Sequence, residues 1–187
     1  KPDFIMLNEG RKDEWIESGV FDANYCYWGF ERIFDLGEKN INKNLKAIKH
    51  INKQTMCFEN HDSASDEYEN RYERKFGKNV CDAMLVVTFT CGCVPFIYNG
   101  NEIADSCRHS LWNNRFYGKN LCVDWSEALT KDGKNRTALV KSLIKIYHNI
   151  SAINIGDIKV LTESADFTVY KKTHGDREVL VIANMTK

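Results

Sequence analysis

Short apolar runs in this sequence end repeatedly in acidic or amide residues. Phe4-Ile5-Met6-Leu7 leads into Asn8-Glu9-Gly10, Thr55-Met56-Cys57-Phe58 into Glu59-Asn60-His61-Asp62, and Val94-Pro95-Phe96-Ile97-Tyr98 into Asn99-Gly100-Asn101-Glu102. Taken singly these are ordinary: a Glu after a strand is commonly solvated or caps a helix, and a His-Asp pair is commonly a cap beside a satisfied histidine. Together, Glu9 and Asp62 on two strands of one sheet could converge across a pocket, with His61 beside them. Two carboxylates and an imidazole, with indole and phenol rings nearby, suit sugar chemistry. One carboxyl protonates a leaving oxygen while an anionic partner stabilises an oxocarbenium-like transition state, and aromatic faces stack on pyranose rings. The sequence holds no G-x-S-x-G elbow, no G-x-G-x-x-G loop and no Walker-type loop, so serine hydrolysis and nucleotide binding lack their usual signatures.

For these residues to meet, the apolar runs must be neighbouring parallel strands, because ligands bind at the carboxyl ends of such strands. The spacing predicts that arrangement. Strands are expected at Phe4 to Leu7, Phe21 to Tyr25, Thr55 to Phe58 and Val94 to Tyr98. Helical faces are expected at Ile41/Leu45/Ile48, at Val80/Met84/Val87/Cys91 closed by Gly92, and at Leu139/Leu143/Ile146/Ile150/Ile153. A charged helix over residues 66–76 is supported by a Glu67/Arg71 pair one turn apart. A long loop over about 101–130 carries Arg108, His109, Trp112, Arg115 and Trp125. After Gly156 the pattern changes to period two, with Phe167/Val169 and Val179/Val181 flanking a turn at His174-Gly175-Asp176. Strand–helix alternation followed by a hairpin predicts β/α units as far as residue 154 and a separate β unit over 155–187.

Composition sets outer bounds. At 187 residues there is room for one domain or one domain with an appendage. Lys plus Arg (26) balances Asp plus Glu (26), which argues against nucleic acid as the main partner. No apolar run reaches the roughly 20 residues that span a bilayer. Seven cysteines, at 26, 57, 81, 91, 93, 107 and 122, lack zinc-ligand spacing and are expected to be free thiols. Asn135, Asn149 and Asn184 each begin an N-x-S/T triplet, a pattern common by chance. The chain opens almost at once into one apolar run and closes just after another, Val179 to Asn184, so it is expected to be a piece of something longer.

The motifs, taken together, resemble a known family. Phe58-Glu59-Asn60-His61-Asp62 is similar to the F-x-x-N-H-D motif on the seventh strand of the α-amylase family, glycoside hydrolase family 13. Ile5 to Glu9 resembles that family's fifth-strand motif, Phe21 to Tyr25 a segment near its sixth strand, and Val94 to Ile103 its strand-eight segment, G-x-P-x-I-Y-x-G-x-E. The four occur in the family's order. The resemblance implies an α/β fold comprising the second half of a (β/α)8 barrel, about four β/α units in residues 1–154. Strands of an all-β C-terminal domain follow in 155–187. It implies a retaining glycosidase acting on α-linked oligo- or polysaccharides, with Glu9 as general acid/base, Asp62 as transition-state stabiliser, and His61 hydrogen-bonding sugar hydroxyls. Asn60 and Trp28 are the further candidates for substrate contact, and Glu102 is expected to fix loop geometry.

One part of the pattern is missing. The family's nucleophile is an Asp in an Arg-x-Asp motif on strand four, and the sequence offers only Arg11-Lys12-Asp13, which follows Glu9. The resemblance therefore implies a nucleophile upstream of Lys1, inactivity of this chain alone, and self-association or a complementary fragment to cover the open barrel edges. No cofactor is expected in this chain, although calcium is possible in the intact protein. The alternative is a non-catalytic amylase-like carbohydrate-binding or accessory protein; the presence of both Glu9 and Asp62 favours the enzyme.

Overall fold

The computed structural model describes residues 4–10, 12–26, 41–64, 71–109 and 122–186. Within these, strands β1 (Leu7–Asn8), β2 (Ala23–Cys26), β3 (Gln54–Met56) and β4 (Val94–Pro95) form one parallel sheet in the order β1-β2-β3-β4. Register runs Leu7 to Ala23, Tyr25 to Thr55 and Thr55 to Val94. All four carboxyl ends thus lie on the same side of the sheet. Each strand is shorter than the apolar run that announces it. Phe4, Ile5 and Met6, for example, remain exposed before the pairing that starts at Leu7.

Helices fill the connections: α1 (Asp13–Glu17) between β1 and β2, α2 (Ile41–Ala47) between β2 and β3, and α3 (His61–Ala64), α4 (Tyr72–Lys75) and α5 (Lys78–Thr90) between β3 and β4. The helix expected over 66–76 is described only in its second part, α4; residues 65–70 lie outside the described set. Helix α5 illustrates which force wins. Its Val80, Val86, Val87, Thr88 and Thr90 are β-branched, each less favourable than Ala in a helix by up to about 0.7 kcal/mol. Yet Val80, Met84, Leu85, Val87 and Phe89 are at most 3% exposed, and full burial of such side chains contributes about 1.5–3 kcal/mol each. Packing of these side chains, rather than propensity, makes this segment helical.

Two short 3-10 helices, Asn101–Ile103 and Trp125–Leu129, punctuate the expected long loop; residues 110–121, with Trp112 and Arg115, lie outside the described set. The chain then enters α6 (Lys131–Asn149), where the Thr130 hydroxyl accepts a hydrogen bond from the Gly133 amide at 2.9 Å. The long stripe expected through Ile153 breaks at Ile150, which is extended (φ −114°, ψ 99°), and restarts as α7 (Ser151–Asn154).

Strands β5 (Asp157–Val160), β6 (Phe167–His174) and β7 (Arg177–Asn184) form an antiparallel sheet in the order β5-β6-β7, with the expected turn at Gly175-Asp176. Its apolar faces are sorted differently from the simple reading. Val179 and Val181 pair with Lys172 and Tyr170, whereas Phe167 and Val169 pair with Asn184 and Ile182. Directly paired residues share a face, so the two apolar pairs lie on opposite faces. Val181, Ala183, Tyr170 and Thr168 face inward, and Phe167, Leu180 and Ile182 face outward.

One hydrophobic core runs through both sheets, from Met56 and Phe58 through α5 to Leu143, Tyr170 and Val181. Lys172 is its unusual member. Fully buried, its ammonium donates to the carbonyls of Cys91 (3.1 Å) and Gly156. Burial lowers its pKa, partly offset by the nearby Cys91 and Cys93. Gly92, at φ +104°, passes so close that a Cβ would sit 2.4 Å from the Lys172 nitrogen, so a side chain at 92 would collide with it. Cys57, Cys81, Cys91 and Cys93 are buried free thiols, Cys107 is half-buried and free, and Cys122 is exposed and free. No helix among the described residues is long and apolar enough to cross a membrane.

Candidate functional site

The four carboxyl strand ends surround a cavity of about 260 Å³ lined by Leu7, Glu9, Tyr25, His61 and Phe96. All four strands contribute: Leu7 from β1 with Glu9 just beyond it, Tyr25 from β2, His61 beyond β3 and Phe96 beyond β4. Chain segments up to 89 residues apart in sequence thereby present one carboxylate, one imidazole and apolar side chains to a common space. Glu9 and His61 line this cavity together; the convergence expected from sequence is that of Glu9 with Asp62, whose side chain lies outside the described residues.

The turn that carries Glu9 is fastened by amides. Asn8, 4% exposed, donates from Nδ2 to Asn24 Oδ1 (2.9 Å) and accepts the Gly10 amide on Oδ1 (2.8 Å). It ties β1 to β2 and fixes the backbone on both sides of Glu9. Asn60 is 1% exposed and does not line the cavity; its carbonyl accepts the Ala64 amide at 2.9 Å, which starts helix α3. Asp62 lies in the first turn of that helix, next to His61, and its side chain is outside the described set, as is Trp28.

Glu59, two residues before His61, anchors a buried ionic network that is not apparent in the sequence. Glu59, 1% exposed, accepts from Arg71 Nε (3.0 Å), the Tyr72 amide (2.8 Å) and Asn101 Nδ2 (2.9 Å). Arg71, read from sequence as the partner of Glu67 on a charged helix, is fully buried; Glu67 lies outside the described residues. Its guanidinium also donates to Asp105 Oδ2 (3.2 Å), to the Asp105 carbonyl (2.6 Å) and to the Cys107 carbonyl. A planar fork with five donors can satisfy this set of acceptors in a way a single ammonium cannot. His109, placed by sequence in the long polar loop, is 6% exposed and bonded to Asp105 Oδ2 (2.7 Å) and the Tyr98 hydroxyl (2.9 Å). Asn101 is the joint to a second network: its carbonyl accepts from Arg136 Nη1 (3.0 Å), and Arg136 pairs with Glu73 (2.6 Å) and Asp82. Glu102 accepts the Gly100 amide at 2.8 Å and so fixes the local loop, as expected.

The charges in this network shape one another. Burial alone would raise the Asp105 carboxyl, but its hydrogen bond with His109 and the Arg71 charge outweigh that and hold it below its ordinary 3.8. Burial would lower Arg71, and Glu59 and Asp105 reverse the sign. A carboxylate depressed in the folded state contributes stability that is present above its unfolded value and lost as pH falls through the folded one. Asp105→Asn is therefore expected to flatten the acid limb of unfolding below pH 3.8, as measured by urea denaturation against pH. An unchanged acid limb would contradict this assignment. Cys107, near Asp105, is pushed up to about 11 by burial and that charge, so its thiol stays protonated at neutral pH.

The described residues contain no group of three or more His, Cys, Asp or Glu side chains arranged to hold a metal ion. Asp105, the most enclosed acid of the loop, is already committed to Arg71 and His109.

No protein-family model matches the sequence, and no curated protein matches it significantly. Solved structures do match. An alpha-amylase from Anoxybacillus superposes with a TM-score of 0.67 at 17% identity, over 98% of this chain and 42% of that one. The alpha-amylase from H. orenii gives 0.68 at 15% identity, over 98% and 44%. AmyP in complex with maltose gives 0.71 at 12% identity, over 96% and 44%. The parallel sheet, its helices and the antiparallel sheet thus follow part of these folds in outline. The chain has the fold of part of an alpha-amylase, spanning 42–44% of the length of those proteins.

Proposed function

We propose that this chain supplies the acid/base side of a retaining glycosidase site acting on α-linked glucans, within the second half of a (β/α)8 barrel. The observation that carries the reading is the shared cavity at the carboxyl strand ends, with Glu9 and His61 on its wall. Glu9 acts as general acid toward the glycosidic oxygen and then as base toward water; His61 hydrogen-bonds sugar hydroxyls. Asp62, in the same turn as His61, stabilises the positive charge that develops on the sugar ring. Asn60 supports this turn from below, and Trp28 is a further substrate contact. AmyP, one of the matched structures, has been seen with maltose and with maltotriose. Residues 1–154 form the barrel portion and 155–187 the start of a C-terminal β domain packed on it.

Retention requires a nucleophilic carboxylate about 5 Å from the acid. Asp13, in the sole Arg-x-Asp sequence preceding a described helix near the site, opens α1 and accepts from Gln54 Nε2 at 3.4 Å instead of lining the cavity. The nucleophile is therefore assigned to residues other than these. Among the described strands, β1 pairs only with β2 and β4 only with β3. Those open edges are where self-association or a complementary segment completes the sheet. No step is routed through a metal.

The test is activity of the 187-residue polypeptide on maltooligosaccharides and starch. No detectable hydrolysis is expected. Turnover that disappears in Glu9→Gln would overturn the assignment of the nucleophile elsewhere.

A further inference from the structure

We propose that Phe96, backed by Tyr25, is the stacking surface for a single glucosyl ring and so determines what this cavity accepts. This rests on the α-glucan reading above and assigns a residue that neither the motifs nor the carboxylate chemistry single out.

Phe96 is 36% exposed and is one of the residues that line the cavity. An aromatic ring left open to water forgoes about 25 cal/mol for each Å² of apolar surface not covered. The ring is nevertheless held in place. Its amide donates to the Met56 carbonyl at 2.8 Å, which fixes its backbone to β3. Its ring meets Tyr25 edge-on, with centroids 5.3 Å apart and planes at 86°. Tyr25 is itself only 5% exposed, and its hydroxyl accepts from the Cys57 thiol at 3.9 Å. Two strands and a buried ring therefore preset Phe96 before any ligand arrives, which reduces the ordering cost of binding.

The chemistry of the cavity selects the ligand class. Leu7, Tyr25 and Phe96 supply apolar lining, while Glu9 and His61 supply an acceptor and an imidazole to the same cavity. A pyranose has the matching division, with C–H groups on its faces and hydroxyls around its rim. The weakly positive C–H face meets the negative face of an aromatic ring. Drug-sized ligands occupy cavities of about 300–1,000 Å³. The 260 Å³ here suits one sugar ring, with the rest of an oligosaccharide outside.

Maltotriose is the probe, titrated into the whole chain by ligand-observed NMR, with Phe96→Ala, Phe96→Leu and Phe96→Tyr in parallel. Removal of the ring in the first two is expected to weaken binding about 10-fold, the scale of one aromatic contact with its buried area. Phe96→Tyr, which keeps the ring, is expected to bind like the parent. Thermal unfolding checks each fold; should Phe96→Ala fail to fold, Phe96→Leu, which keeps an apolar side chain of similar bulk, decides. Equal binding by the ring-deleted variants would overturn the stacking role and leave the α-glucan reading standing. Absence of maltotriose binding by the parent chain would overturn both.

Discussion

Arg71→Met is expected to lower the stability of the chain by about 3–5 kcal/mol, the loss typical when one partner of a buried charge network is removed. A domain of this size has about 5–15 kcal/mol in total, so the variant would populate unfolded forms near room temperature. The magnitude follows from what stays behind. Methionine fills much of the volume but leaves Glu59 and Asp105 as buried carboxylates without their shared cation. It also leaves the Asp105 and Cys107 carbonyls without the donors they now share. Urea denaturation followed by circular dichroism measures the loss. Adding Glu59→Gln and Asp105→Asn to the same chain should recover part of it, because the stranded charges are then gone. A loss below about 1 kcal/mol would place Arg71 among solvent-screened pairs, contrary to its complete burial.

The second large effect concerns chemistry. In a protein that joins this chain to a nucleophilic carboxylate, Glu9→Gln is expected to lower kcat on maltooligosaccharides about 10²–10⁴-fold, the usual contribution of a positioned general acid/base. The pattern across substrates is more diagnostic than the size. A glycosyl donor with a good leaving group needs little protonation, so glycosylation by α-glucosyl fluoride should be far less affected than cleavage of maltotriose. Glu9 is exposed on the cavity wall, and its flanking Asn8 and Gly10 are held by hydrogen bonds that do not use the Glu9 side chain. The substitution should therefore leave thermal stability nearly unchanged. Equal losses on both substrates would point to a binding role instead of proton transfer.

How far the sequence alone reaches is clear from particular residues. The turns after β1 and β3 were legible because a short apolar run followed by an acid is a local signal, and the motif order added a global one. The cavity shared by Glu9 and His61 follows from the parallel pairing that strand–helix alternation predicts. The Glu59–Arg71–Asp105–His109 network was not legible. Its links span 12 and 34 residues, and nothing local distinguishes Arg71 from a solvated helix arginine. His109 misled for the same reason: in sequence it sits in a polar loop, and only the fold lays Asp105 and Tyr98 against it. The hairpin failed in another way. Both faces of β6 and β7 carry apolar residues, so period-two alternation could place strands and turn but could not say which face was buried. Lys172 on the inner face runs against any hydrophobicity rule and is tolerated because two carbonyls receive its ammonium.

The central claim is that the carboxyl ends of β1–β4 form a site for α-linked glucose oligomers. Amide chemical-shift mapping on the isotopically labelled chain during titration with maltotriose tests it most directly. Saturable shifts are expected to cluster at Leu7 to Gly10, Tyr25, Asn60 to His61 and Phe96, with β5–β7 undisturbed. No saturable shifts, or a cluster elsewhere such as the outer face of Leu180 and Ile182, would contradict it.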